Sequence, residues 1–162
     1  MGLFGSPNIE KMKQSGDASG LVKLLDSGKN DQSVKAINAL VEIGGSAVPP
    51  LISALKIEKS RAFAAVALSK IGKPAVDSLI LALNDKEAGA FAACALVDIG
   101  APAIGPLVGA LKSKEGRAFA AVTLARIGTP AMGQLTSVLN DPETKEFASL
   151  ALEEINNRSK KG

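Results

Sequence analysis

The 162-residue chain has no histidine, no tryptophan and no tyrosine. The missing histidine removes imidazole acid–base chemistry, Ser-His-Asp arrangements and most transition-metal sites in one step. Five phenylalanines are the whole aromatic content, too few for stacking on nucleic-acid bases. The single cysteine, Cys94, forms neither an internal disulfide nor a Cys-x-x-Cys site. That usage fits a reducing, cytoplasmic setting. No apolar run approaches ~18 residues, so no membrane span is expected. The start lacks the basic and then apolar stretches of a signal peptide. Charge of one sign is also scarce. The net charge of +3 sits in the tail, at Arg158, Lys160 and Lys161, and the remaining body carries 16 bases against 16 acids. A neutral body offers no basic stripe for phosphate contacts, so nucleic acid is not an expected partner. Paired carboxylates in a plausible site, a glycine-rich phosphate loop and metal-ligand spacing are all absent. No catalytic residue, cofactor or metal is therefore predicted.

What the sequence does have is a period. Ile-Gly recurs at Ile43-Gly44, Ile71-Gly72, Ile99-Gly100 and Ile127-Gly128, always 28 residues apart, and Ile155-Asn156 continues the series. Phe63, Phe91, Phe119 and Phe147 keep the same spacing, as do Leu51, Leu79, Leu107 and Leu135. Residues 49–76 and 105–132 agree at 16 of 28 positions. Each unit reads as two helices. Val76, Leu79, Ile80 and Leu83 fall on one helical face. Pro74, Pro102 and Pro130 stand at the start of a first helix, where a missing N–H costs nothing. Glycine, or asparagine at 156, ends the second helix. Asp141-Pro142 reads as an N-cap followed by proline at the first helical position. No strand signal appears. The predicted fold is all-α: five helix pairs, at about 17–48, 49–76, 77–104, 105–132 and 133–157, preceded by a capping helix that Ser6-Pro7 opens. Residues 158–162 are expected to be a disordered basic tail.

A 28-residue pair cannot bury its apolar face alone, so units must stack. A helical wheel of the second helix puts Ala64, Ala67, Leu68 and Ile71 toward the first-helix layer. Phe63 lies on one flank and Ala65 on the other, so each phenylalanine should fill the space left by a neighbour's alanine. Phe91→Ala is then expected to cost roughly 3–5 kcal/mol.

Positions away from that core read Ala62, Val66, Ser69, then Ala90, Cys94, Val97, then Ala118, Val122, Ala125. Small apolar side chains stand where water favours charge, and such a ridge suits a partner peptide or helix. A homodimer covering it, or burial by tight curvature, explains it equally. Arg61 and Arg117, with Lys145, form a column facing either a partner's carboxylates or neighbouring acids such as Glu58, Glu87, Glu115 or Asp85. The second of these is favoured, and an exposed pair of that kind stabilises little. Cys94 has no base to activate it. The start MGLFGS fits a myristoylation pattern, but Leu3 and Phe4 read better as a hydrophobic staple on the first helix.

The second helix reads R-x-x-A-x-x-A-L-x-x-I-G at Arg61, Ala64, Ala67, Leu68, Ile71 and Gly72. It recurs at Arg117, Ala120, Leu124, Ile127 and Gly128 with Thr123 in place of one alanine, and at Ala92, Ala95, Leu96, Ile99 and Gly100 with Gly89 in place of the arginine. This pattern resembles the HEAT-like repeat first named for phycobilisome lyases and common in small prokaryotic proteins. The resemblance covers about Asp17 to Asn157. It implies a right-handed superhelix whose second helices line a concave face, and a protein that binds or scaffolds other proteins without catalysis. Two alternatives stay open: a homo-oligomer using the same face, and a lyase-like or accessory subunit of an enzyme. The iron-dependent deoxyhypusine hydroxylases share the fold but need histidines this chain lacks. The HEAT-like DNA glycosylases need aromatics and a basic groove that are also missing.

Overall fold

A computed structural model describes residues 8–26 and 30–161. Among them every regular element is helical. A short helix α1 (Ile9–Gln14) precedes five pairs: α2 (Ala18–Lys23) with α3 (Asn30–Ile43), α4 (Val48–Ala54) with α5 (Arg61–Ile71), α6 (Val76–Ala82) with α7 (Gly89–Ile99), α8 (Ala101–Ala110) with α9 (Arg117–Ile127), and α10 (Met132–Ser137) with α11 (Lys145–Ser159). Within each pair the two helices pack on each other. The second helices α3, α5, α7, α9 and α11 stack in one layer, and α2, α4, α6, α8 and α10 stack in another. This is the all-α solenoid the period predicts.

The core lies between the two layers. Leu51, Leu79, Leu107 and Leu135 of the first helices have no exposed surface, nor do Leu68, Leu96 and Leu124 of the second. Ala64, Ala92, Ala120 and Ala148 are equally closed off. Alanine there lets the layers approach closely. The leucines supply the apolar area, and each leucine truncated to alanine costs about 2–5 kcal/mol.

Glycine punctuates the stack where the period places it. Gly44, Gly72, Gly100 and Gly128 have φ of 71°, 75°, 69° and 84°, a region that side-chain-bearing residues avoid. The N–H of Gly72 still donates to Leu68 O at 3.0 Å, closing the helix, before the chain reverses. Residues 31–54 are long and apolar enough to resemble a membrane span. The reversal at Gly44 and the 3-10 turn Gly44–Ala47 break them into α3 and α4. Ala36, Ile37, Leu40 and Leu51 from this stretch belong to the core.

Several local readings change. Ser6-Pro7, Leu3 and Phe4 lie outside the described residues. The cap of α1 is Asn8, whose Oδ1 accepts from the Lys11 N–H at 2.9 Å. Three first helices enter through a 3-10 turn, at Gly44–Ala47, Lys73–Ala75 and Thr129–Ala131. Asp141 is not the N-cap of α11. Its carboxylate accepts from Glu143 N–H at 3.0 Å and shapes a turn, and the helix begins at Lys145 behind Thr144. Asn156 does not stop α11. The helix runs on to Ser159, with Arg158 Nε donating to Glu154 Oε1 at 2.7 Å, so Arg158 and Ser159 are helical rather than part of a loose tail. Asparagine permits a left-handed stop but does not impose one, because its cost in a helix is small.

Candidate functional site

The second-helix layer presents most of the predicted ridge to solvent. Ala62, Val66, Ala90, Cys94, Ala118 and Val122 are exposed, and Ser69 and Val97 are half-buried. Ala125 is the exception. Only 4% of it is exposed, because α11 packs closely against α9 and covers that turn. The column through Val66, Cys94 and Val122 continues to Leu150, which is 52% exposed. Leu150 is absent from the sequence-based set although it lies 28 residues beyond Val122. Its neighbours Glu146 and Glu153 made that unit look polar, and following the period alone finds it.

Between α9 and α11 the ridge deepens into an open groove of about 380 Å³, lined by Ala118, Val122, Phe147, Leu150 and Ala151, with Glu154 and Arg158 at one end. The floor is apolar. The paired charges at the end leave a polar rim, the usual arrangement of a peptide-binding surface. Apolar surface is not confined to this face. Leu81 on the first-helix layer is 80% exposed and lines grooves on both sides of α6, toward α4 and toward α8.

The arginine column does not make the expected ion pairs. The Arg61 guanidinium lies over the Phe91 ring, 5.6 Å from its centroid, and Arg117 lies over Phe147 at 4.9 Å. The acids proposed for them are otherwise engaged or apart. Asp85 pairs with Lys56 at 2.5 Å, and Asp141 pairs with Lys112 at 3.0 Å. The Lys56 ammonium, with the Ala88 and Glu87 N–H groups, holds the Asp85 carboxyl down at about 2. Lys112, with the Glu143 N–H, lowers Asp141 in the same sense. Carboxylates with lowered pKa values stay ionised at neutral pH and serve as structural anchors, not as acids in catalysis.

Buried hydroxyls went unnoticed in the sequence. Ser60 Oγ donates to Ala54 O at 3.1 Å, and Thr144 Oγ1 donates to Val138 O at 2.8 Å. Each ties the start of a second helix to the end of its own first helix. Serine and threonine immediately before a second helix were the available signal.

The fold and this surface define an α-solenoid of stacked helix pairs with an apolar second-helix face. Residues 34–56, covering the end of α3's unit and all of α4, match the family described as PBS lyase HEAT-like repeat. The match supports placing the chain with the HEAT-like repeats, whose general role is protein–protein interaction. No curated protein matches the chain.

Proposed function

We propose that this is a non-catalytic, cytoplasmic protein-binding module that receives an apolar segment of a partner along its second-helix face. The observation that carries the reading is the column Val66, Cys94, Val122, Leu150, one exposed side chain from each of four successive units, running into the groove between α9 and α11. Exposed leucine and valine in a row cost solubility, and a partner that covers them offsets that cost. The shallow floor accepts small branched side chains spaced along a helix or an extended strand. No ionisable group in the groove is arranged for chemistry: Glu154 and Arg158 neutralise each other.

Capture from a native lysate, comparing wild type with Val122→Glu/Leu150→Glu, tests the reading. Both side chains are more than half exposed, so the double variant should keep the wild-type circular dichroism. A protein retained by wild type and lost by the variant supports the groove. Equal retention by both overturns it. A wild-type dimer in light scattering that the double variant dissolves points instead to a second copy of this chain as the occupant.

A further inference from the structure

The links between successive units are not uniform. Between the second and third units Lys56 pairs with Asp85, and Arg61 covers Phe91. Between the fourth and fifth units, 56 residues on, Lys112 pairs with Asp141 and Arg117 covers Phe147. The junction between these, where α6–α7 meets α8–α9, has neither. Its corresponding residues are Asn84 and Ser113 for the ion pair, and Gly89 and Phe119 for the ring contact.

The packing follows the chemistry. Phe119, without a guanidinium over it, is 52% exposed, while Phe91 and Phe147 are half-buried. The alanines opposite show the same contrast. Ala65 and Ala121, facing the covered phenylalanines, are buried at 8% and 5% exposure, while Ala93 at the central junction is only half-buried. α7 and α9 also share a smaller interface than α5 with α7 or α9 with α11. Across that interface, the side-chain hydrogen bond among the described residues is a weak one, from Arg126 Nη2 to Cys94 Sγ at 3.4 Å. The first-helix layer does not thin in this way, and α6 and α8 stay in close contact. Gly89 cannot simply be replaced by the missing arginine, because a Cβ there collides with the Leu83 carbonyl oxygen.

We infer that the junction between residues 77–104 and 105–132 is a compliant joint between two stiffer blocks. It opens and closes on the second-helix side about the α6–α8 contact. In a stack where each unit touches only its neighbours, deformation collects at the junction with the weakest interface terms. An ion pair and a cation–π contact contribute little singly, but both are missing from one junction and present in the two beside it. The joint changes the distance between Cys94 and Val122, and so the width of the face to which a partner is assigned above. It exists whether or not that assignment holds.

Spin-label distance distributions test it. Nitroxides are attached through ketone-bearing side chains, which leaves Cys94 in place, at the exposed pairs Asp31/Glu87, Lys59/Glu115 and Glu87/Glu143. The first pair spans no central junction, and the other two cross it. The expected result is a broader distribution for both crossing pairs. Asn84→Lys/Ser113→Asp, which supplies the missing ion pair, should narrow them toward the Asp31/Glu87 width and leave that pair unchanged. A converse variant, Lys56→Asn/Asp85→Ser, should broaden Asp31/Glu87, and it keeps the test open if the first variant misfolds. Equal widths for all three pairs in the wild type, or crossing widths that ignore a well-folded Asn84→Lys/Ser113→Asp, overturn the joint.

Discussion

Arg117 lies over the ring of Phe147, its guanidinium carbon 4.9 Å from the centroid. The arginine opens one second helix and the phenylalanine sits in the first turn of the next. The contact therefore spans two units and contributes to how firmly they stack. Replacing Arg117 by Met keeps much of the apolar stem and removes the cation. The expected loss is about 0.5–1 kcal/mol. A denaturant double-mutant cycle with Phe147→Leu should assign most of it to the pair, and additive losses would show that the ring and the guanidinium act separately.

The phenylalanine column should not behave uniformly. Phe91 is half-buried beneath Arg61 and against Ala65, so Phe91→Ala should cost about 3 kcal/mol, the lower end for a large-to-small change. Phe119 is more than half exposed, and Phe119→Ala should cost about 1 kcal/mol or less. Chemical denaturation of both variants checks the order, which a uniform column would not give.

Acid should loosen the stack before base does. Asp85 and Asp141 have lowered pKa values in the folded chain. Their contribution is complete above the unfolded carboxylate range near 3.8 and is lost as pH falls toward about 2. Lys56 and Lys112 are shifted the other way, raised above 10.5 by Asp85 and Asp141. Their contribution is complete below 10.5 and is lost only as pH rises through the raised values. Melting temperature should hold level between about pH 5 and 9 as far as these pairs are concerned, then drop on the acid side. Asp85→Asn should flatten part of that drop.

Two glycines should fail for different reasons. Gly72 has φ +75° and open space around its Cα, so Gly72→Ala meets only backbone strain, about 1–2 kcal/mol. Gly89 has no such φ but stands against the Leu83 carbonyl. Gly89→Ala must therefore shift the start of α7, and its cost should come with altered chemical shifts across the α6–α7 turn. Comparing the two by thermal melts and heteronuclear NMR separates strain from collision.

The pairing of helices was legible because it rests on repetition. A leucine at 51, 79, 107 and 135 has one physical explanation, and glycine after isoleucine has another, and neither depends on neighbours distant in sequence. The ridge was legible for the same reason, from Ala62 to Val122. Features set by contact across units were not. Arg61 reads as an ion-pairing residue because acids surround it in sequence, yet its helix carries it onto the ring of the next unit. Ala125 falls on the outer side of a single wheel, and a wheel has no place for α11, which covers it. Helix ends governed by weak preferences, such as Asn156, depend on whether the continuing turn finds support, here Glu154 with Arg158.

The unequal junctions have a consequence for length. Lys56 and Arg61 return as Lys112 and Arg117 after two units rather than one. An array extended by copying residues 49–104 would alternate firm and yielding contacts all along its contour. Its bending would then be counted in steps of 56 residues, and a tandem lengthened by an odd unit would place two yielding, or two firm, contacts side by side.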